Sequence, residues 1–320
     1  MKRLATTLVM VLVVGILMAQ TESAKFGKVE VIEEDGQTTI LVAGETAFEV
    51  NEGQDTTKIK LGKKGVTIVE NEEGSPSVTW EDLPEDELEL DDDDDWDDDD
   101  CDDDGSKRNK FEGHWSGMEI GLNGFVNDDF SMNVEPDFMD LNTGKSWNYN
   151  INFLQQDLAL GTPYLGLVTG LGFEVSNYHF DNGNVITEVA GEIIDVFPPI
   201  NTTSEKARLQ TVFLTAPLLL EFQVPAGKKK FFISGGVIGG VKLVSKTKMV
   251  YYENGDKKKD KAKDDFNISA LRYGFTARIG FKSLKIFANY YPTALFEDGG
   301  GPVGGDNLYP FSVGLSLIDF

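Results

Sequence analysis

From Trp115 onward the apolar residues recur at every second position, whereas sustained i, i+3, i+4 patterns are scarce, so the period is that of β-strands. In the run 163–180, Leu165, Leu167, Leu171, Phe173 and Val175 share one face and Gly166, Gly170, Gly172, Glu174 and Ser176 the other. In 205–224, Val212, Leu214, Ala216, Leu218, Leu220 and Phe222 oppose Thr211, Thr215 and Glu221. In 265–281, Leu271, Tyr273, Phe275, Ala277, Ile279 and Phe281 oppose Arg272, Gly274, Thr276, Arg278 and Gly280. Counting such runs gives eight: 115–125, 146–157, 163–180, 205–224, 230–250, 265–281, 284–296 and 309–318.

The connections fall into two alternating classes. Tight turns hold Gly161 with Thr162, Pro225 to Lys229, and Lys282 with Ser283, while the others are long and rich in Asn, Asp, Gly, Pro and Lys, as in Asp181 to Asn184 and Gly299 to Gly305. This pattern predicts an all-β fold, an eight-stranded antiparallel up-and-down transmembrane β-barrel of the outer-membrane kind, with short turns and both termini on the periplasmic side. A soluble barrel or β-sandwich also alternates, but hides its apolar face inside. The composition of the two faces favours lipid. The face opposite the aliphatic one is Gly, Ser, Thr and Asn with embedded charge, and a water-soluble body would expose those glycines and crowd bulky residues into a narrow lumen. Aromatics near run ends, namely Trp115, Trp147, Tyr149, Tyr290, Tyr309 and Phe311, are expected in interfacial girdles.

Charge divides the chain further. The formal net charge is -25 over 320 residues, but the stretch from Lys25 to Lys110 carries 29 acidic and 9 basic residues while Phe111 to Phe320 carries 24 and 18. Nucleic acid is therefore not an expected partner, since phosphate neutralisation needs a basic face. A single cysteine, Cys101, excludes an internal disulfide framework and a cysteine-rich zinc site, and its carboxylate neighbours suppress the thiolate. Lys2 and Arg3, the apolar run from Leu4 to Ala19 and the polar Gln20 to Glu22 have the order of a secretory signal, which assigns 1–19 to a signal peptide. Residues 20–80 then read as a small periplasmic β-hairpin segment, with Val29 to Ile32 pairing with Thr39 to Val42 and Lys58 to Leu61 with Val66 to Val69. Residues 81–110, with Asp at 91–95, 97–100 and 102–104, read as an acidic disordered linker, and 111–320 as the barrel.

Four groups of residues carry candidate chemistry. Glu119, Glu174 and Glu221 face Lys242, Arg272, Arg278 and Lys285 across the predicted lumen; they are expected to form a satisfied structural network, the alternative being a narrow ion path lined by them. His179, near Ser176 and Asp181, is a minimal constellation for a barrel hydrolase or acyltransferase, although a loop histidine is far more often structural, and no catalysis is expected. Lys257, Lys258, Lys259, Lys261 and Lys263, beside Asp256, Asp260, Asp264 and Asp265, read as a solvated hairpin tip that offers contact to lipid phosphate. Asp100, Asp102, Asp104 and Gly105 match the start of a calcium loop, but its twelfth position holds Phe111, with Glu112 one residue late. Weak, nonspecific divalent-cation binding by the Asp run is expected, and no cofactor.

The stretch from Phe111 to Gly124 (FEGHWSGMEIGLNG), the piece from Ala216 to Leu220 (APLLL) and the end from Tyr309 to Ile318 (YPFSVGLSLI) resemble the PorT-like outer-membrane β-barrel family of Bacteroidetes-type bacteria. The resemblance covers 111–320 and implies a bacterial outer-membrane location and, in some members, a part in protein export to the cell surface. The expected role is a noncatalytic membrane-anchored scaffold or interaction protein, accessory to secretion. Its expected partners are outer-membrane lipid, the barrel insertion machinery and a periplasmic protein bound by the acidic arm. A porin-like narrow solute channel and a hydrolase using His179 are the competing readings. Barrels of this kind commonly end on an outward aromatic, yet Phe320 is out of phase with Phe311, Val313, Leu315 and Leu317, so the strand must bulge near Asp319 or end at Leu317.

Overall fold

The chain divides into two units, Met1–Asp102 and Asp103–Phe320. The computed structural model describes the backbone of six strands between 29 and 82, then the chain from 111 to 318 apart from 227–228 and 282–283. The expected signal segment 1–19, Cys101, the candidate ligands Asp100, Asp102 and Asp104, and Phe320 lie outside the described residues.

In the first unit, β1 (Val29–Glu34), β2 (Gln37–Val42), β3 (Glu45–Asn51), β4 (Thr56–Leu61), β5 (Lys64–Glu70) and β6 (Pro76–Asp82) form one antiparallel meander in chain order. The two expected hairpins correspond to β1–β2 and β4–β5, with Val29 opposite Val42 and Leu61 opposite Lys64. β3 and β6 were not expected, and they join the hairpins into one sheet. Because β6 runs to Asp82, the expected linker at 81–110 starts two residues too early, and its remainder is outside the described residues.

The second unit contains β7 (Gly117–Val126), β8 (Trp147–Thr162), β9 (Leu165–His179), β10 (Val185–Val189), β11 (Glu192–Val196), β12 (Thr203–Ala226), β13 (Lys229–Glu253), β14 (Asp256–Lys263), β15 (Leu271–Phe281), β16 (Leu284–Tyr290) and β17 (Tyr309–Ile318). Antiparallel pairing runs β7–β8–β9–β12–β13–β15–β16–β17, and β17 returns to β7, so the sheet closes into a barrel-like ring of eight strands. These are the eight runs read from the alternation. Following register partners from Gly117 through Asn152, Gly172, Thr215, Gly240 and Arg272, then across β16 and β17, returns to β7 about ten residues further on, an offset that tilts eight strands by roughly 40°.

Three strands lie outside this ring, in the long connections. β10 and β11 are joined by Ala190 and Gly191, with φ 55 and 90, and β13 and β14 by Asn254 and Gly255, with φ 52 and 90. Both are two-residue turns with positive φ at each centre, whose twist matches that of the flanking strands.

Which side of the sheet faces inward follows from exposure. β15 alternates without a break: Leu271, Tyr273, Phe275, Ala277, Ile279 and Phe281 are exposed while Arg272, Gly274, Thr276, Arg278 and Gly280 are buried. The same parity leaves Leu218, Leu220, Phe222 and Val224 of β12 and Val313, Leu315 and Leu317 of β17 exposed, with Glu221 and Ser312 inside. The large apolar side chains thus face outward and the charges inward. Two outward aromatic groupings accompany them, Phe275 opposite Tyr290 opposite Phe311 toward the long loops and Phe231 opposite Phe281 near the short turns.

The last strand resolves the phase of its own end. The register of β17 against β7 shifts between Ser316 and Ile318, so that Ser316 faces Glu119 and Ile318 faces Met118. The register shift therefore falls just before Asp319.

Candidate functional site: the filled lumen

Eight strands enclose a space that side chains can fill, and here three layers fill it. The lowest, at the short-turn end, comes from the segment ahead of β7. Trp115 was expected in an outer girdle, but it is 3% exposed and packs inside with Phe111, Val168, Leu219, Ile238 and Tyr291. β7 parts from β8 at Asn152, and the chain before Gly117 turns into the lumen instead of continuing the ladder. Two polar side chains of lower β8 hold it there. Gln155 Oε1 accepts from the backbone N–H groups of Trp115 (2.7 Å) and Ser116 (2.8 Å), its Nε2 donates to Gly113 O (3.0 Å), and Asp157 Oδ2 accepts from Gly113 N (3.0 Å). Inward glycines make the room: a Cβ on Gly166 would stand 2.3 Å from the Phe111 ring, and one on Gly170 2.6 Å from Trp115.

Glu221, fully buried, belongs to this layer. It accepts from His114 N (3.1 Å) and meets His114 Nδ1 (2.7 Å), while Gln223 Nε2 donates to it (2.7 Å) and to Glu112 O (2.5 Å). His114 stacks on Phe232 at 4.0 Å. The fold makes His114, which precedes the first strand, the partner of an interior carboxylate.

The middle layer contains two ion pairs. Arg278 grips Glu119 with two parallel bonds, Nε to Oε1 at 2.9 Å and Nη2 to Oε2 at 3.2 Å, donates Nη1 to Thr276 Oγ1 (2.6 Å), and lies 4.3 Å above the Trp115 ring. Asn150 Nδ2 donates to the same carboxylate (3.0 Å). Above it, Arg272 Nη2 meets Glu174 Oε1 at 2.7 Å, with its guanidinium between the rings of Phe213 (3.7 Å) and Tyr291 (3.8 Å), and the Tyr291 hydroxyl donates to Glu174 Oε2 (2.5 Å). Of the seven interior charges expected from sequence, four form these pairs and Glu221 takes His114. Lys242 reaches up to the carboxylate of Asp265 and the carbonyl of Ile268 in a long loop, and Lys285 lies 5.8 Å from the Phe232 ring. Charges buried this deeply are tolerated when paired and further hydrogen-bonded, as Glu119, Arg278 and Glu174 are, while Arg272 has its ion pair and the two flanking rings.

The top layer is apolar and is made by the long loops. Val134, Met139, Phe180, Ile186, Ile193, Phe266, Ile268, Leu295, Phe296 and Leu308 converge on Phe125, Tyr178, Leu209 and Phe213 at the barrel rim. Side-chain hydrogen bonds tie the loops to one another: Asn184 Nδ2 donates to Phe138 O (3.0 Å), Asn267 Nδ2 to Gly191 O (2.9 Å), and Asp306 Oδ2 accepts from Asn127 Nδ2 (3.0 Å) and Glu135 N (3.1 Å). The Asn127 bond first, and the Glu135 amide after it, hold the Asp306 carboxyl below its ordinary pKa.

The other candidates are placed as follows. His179 and Ser176 are three residues apart on a continuously paired stretch of β9, and so point to opposite faces of the sheet. His179 is 3% exposed, not a wet loop residue. The lysine-rich loop is strand β14, whose pleat sorts its charges. Lys257, Lys259, Lys261 and Lys263 share the face of Tyr252, Val250, Lys248 and Lys246, while Lys258 shares the other with Asp256 and Asp260. Among the described residues no group of three His, Cys, Asp or Glu side chains is arranged to hold a metal ion.

The sequence missed the lead-in plug and the loop cap. Phe111, His114 and Trp115 immediately before an all-strand region were a signal for the first, and the apolar residues scattered through the long loops were one for the second. Neither a family model, nor a curated protein, nor a solved structure matches the chain.

Proposed function

We propose that this chain is a noncatalytic outer-membrane β-barrel protein that anchors an interaction surface in the membrane. The reading rests on one observation: the barrel-like sheet turns its leucines, phenylalanines and valines outward and buries Arg272, Arg278, Glu119 and Glu174. Large exposed apolar area is costly in water and favourable against acyl chains. On β12 the outward residues stay apolar from Val212 to Val224, a span of roughly 30 Å along the barrel axis at ~3.3 Å per residue and a tilt of ~40°, comparable with the ~30 Å hydrocarbon core of a bilayer.

A lumen occupied from the lead-in to the loop cap favours a scaffold over a solute channel, because each layer is made of buried side chains. The loop cap would face outside, and the acidic arm, both termini and a protein partner of that arm would be periplasmic. The likeness of Phe111 to Gly124 to PorT-like chains adds a role accessory to secretion. Reconstituting the full-length protein into vesicles and planar bilayers tests this: the barrel should become protease-protected and heat-modifiable and should show no unitary conductance. Steady single-channel currents from wild type would replace the scaffold with the channel, and failure to insert at all would remove the membrane reading.

A further inference from the structure

The loop after β7 doubles back over the outside of the wall. β7 ends at Val126, yet by Met132 the chain is again level with Gly124: a Cβ on Gly124 would meet the Phe311 ring at 3.0 Å and Met132 Cε at 3.8 Å, on the outward side of the sheet. Two residues earlier, the Phe130 ring lies tilted over Tyr290 with centroids 5.8 Å apart. At Val134 the chain joins the loop cap. Despite these contacts Phe130 is 71% exposed and Met132 47%. They adjoin a wall whose outward residues, Leu122, Phe275 and Val313, are exposed and apolar too.

Local hydrogen bonds hold the turn in that position. Asn127 N donates to Ser131 O (3.0 Å) and Phe130 N to Asn127 O (3.0 Å), while Asn127 Oδ1 accepts from the amides of Asp129 (3.1 Å) and Ser131 (2.9 Å). Phe130 has φ 57, a left-handed backbone that a bulky residue rarely adopts and that its surroundings must enforce. The level of the turn follows from the register. Leu218, at the middle of the apolar band on β12, stands opposite Val237, Val237 opposite Phe275, and Phe275 opposite Tyr290. Each step to the next strand climbs about 3 Å toward the long loops, at a spacing of ~4.8 Å and a tilt of ~40°. Tyr290 therefore lies roughly 9 Å above the midpoint of the band, inside the half-thickness of about 15 Å of a hydrocarbon core.

We propose that the turn from Asn127 to Met132 is a lipid anchor, which lays Phe130 and Met132 among the acyl chains of the outer leaflet, against the outward face of β16 and β17. The inference rests on the membrane reading above and deepens it by naming a loop that enters the bilayer beside the wall. Acyl chains would cover both side chains without any rearrangement of the turn, whereas water leaves their apolar area unburied. Asn127 also ties the anchor to the cap: its Nδ2 donates to Asp306 Oδ2 (3.0 Å), which accepts in turn from Glu135 N (3.1 Å).

The test uses full-length protein in phospholipid vesicles, with Cys101→Ser as background and one new cysteine, Phe130→Cys, Met132→Cys, Leu218→Cys or Ile200→Cys, carrying an environment-sensitive fluorophore. The probes are phospholipids brominated at shallow or at deep acyl carbons, and aqueous iodide. Labels at 130 and 132 should lose more emission to shallow bromines than to deep ones and should resist iodide. The label at 218 should lose most to deep bromines, and the label at Ile200, 92% exposed on another long loop, should respond to iodide alone. Met132→Cys serves if Phe130→Cys disturbs the turn. Iodide quenching at 130 and 132 equal to that at 200, a maximum with deep bromines, or shielding from both quenchers, as a protein partner or a second copy would give, each overturns the proposal. The label at 218 separates the two failures: deep-bromine quenching there with iodide quenching at 130 and 132 sinks this inference alone, and no bromine quenching at 218 sinks the membrane reading.

Discussion

Leu218 offers a direct measurement of what surrounds the barrel. It faces outward from β12, is 53% exposed, and lies midway between Val212 and Val224, the ends of the apolar band on that strand. If the band is immersed in hydrocarbon, Leu218→Arg places a guanidinium near the bilayer midplane, at a cost of about 2–4 kcal/mol. Val224→Arg, at the edge of the band, should cost only about 0–1 kcal/mol. Were the same face in water, both would be surface substitutions worth within about 0.5 kcal/mol of zero. The assay is reversible guanidinium unfolding of full-length protein in vesicles, read by the folded-to-unfolded shift in gel mobility. The magnitude at one site is less decisive than the profile, since a general defect would penalise both sites alike. A Leu218→Arg cost below about 0.5 kcal/mol, or one equal to that of Val224→Arg, would refute the lipid-facing assignment.

The interior makes three further predictions. Glu119→Leu and Arg278→Met should each destabilise by about 3–5 kcal/mol, because either leaves a buried charge unpaired, whereas the Glu119→Leu/Arg278→Met double variant should cost far less than their sum; additive losses in this double-mutant cycle would show that the pair is not coupled. Gly166→Val, whose Cβ would stand 2.3 Å from Phe111, should expel the lead-in, seen as new protease cleavage before Gly117, while a bulky residue at the outward Leu165 should have no such effect. The Asp306 carboxyl, held below its ordinary pKa, stabilises the loop cap above the unfolded value near ~3.9 and loses that contribution as pH falls through the lower folded value. Loop proteolysis should therefore be flat from neutral pH to about pH 4, rise below it, and lose the acid-dependent rise attributable to this contact in Asp306→Asn.

The eight barrel strands were legible because each keeps period-2 alternation over enough residues to define a face, as β15 does along its whole length. The identity of the interior charges was legible for the same reason, but their pairing was not. Parity says that Glu119, Glu174 and Glu221 share the lumen, whereas the choice of partner depends on the strand stagger, which no single strand contains. Lys242 was grouped with the lumen cations and instead serves a loop, because its long side chain reaches the mouth. Strands β10, β11 and β14 went unread for different reasons. Asn254-Gly255 is the dipeptide that favours a two-residue hairpin, but the dense lysines and aspartates around it masked an alternation of charge sign with the same period as a strand. β10 and β11 are five residues each, short enough that their apolar positions looked like loop noise.

The lead-in segment bears directly on the stability of the barrel interior. Residues 111–116 precede the first strand, and a segment outside the ladder can often be altered at little cost. Here they supply His114 and a backbone N–H to Glu221, a carboxylate that is fully buried on β12, and the Trp115 ring beneath Arg278. A buried carboxylate deprived of its donors bears a desolvation penalty that the barrel cannot relieve by exposing it to water. The β-sheet is therefore incomplete as a stable object without six residues that precede its first strand.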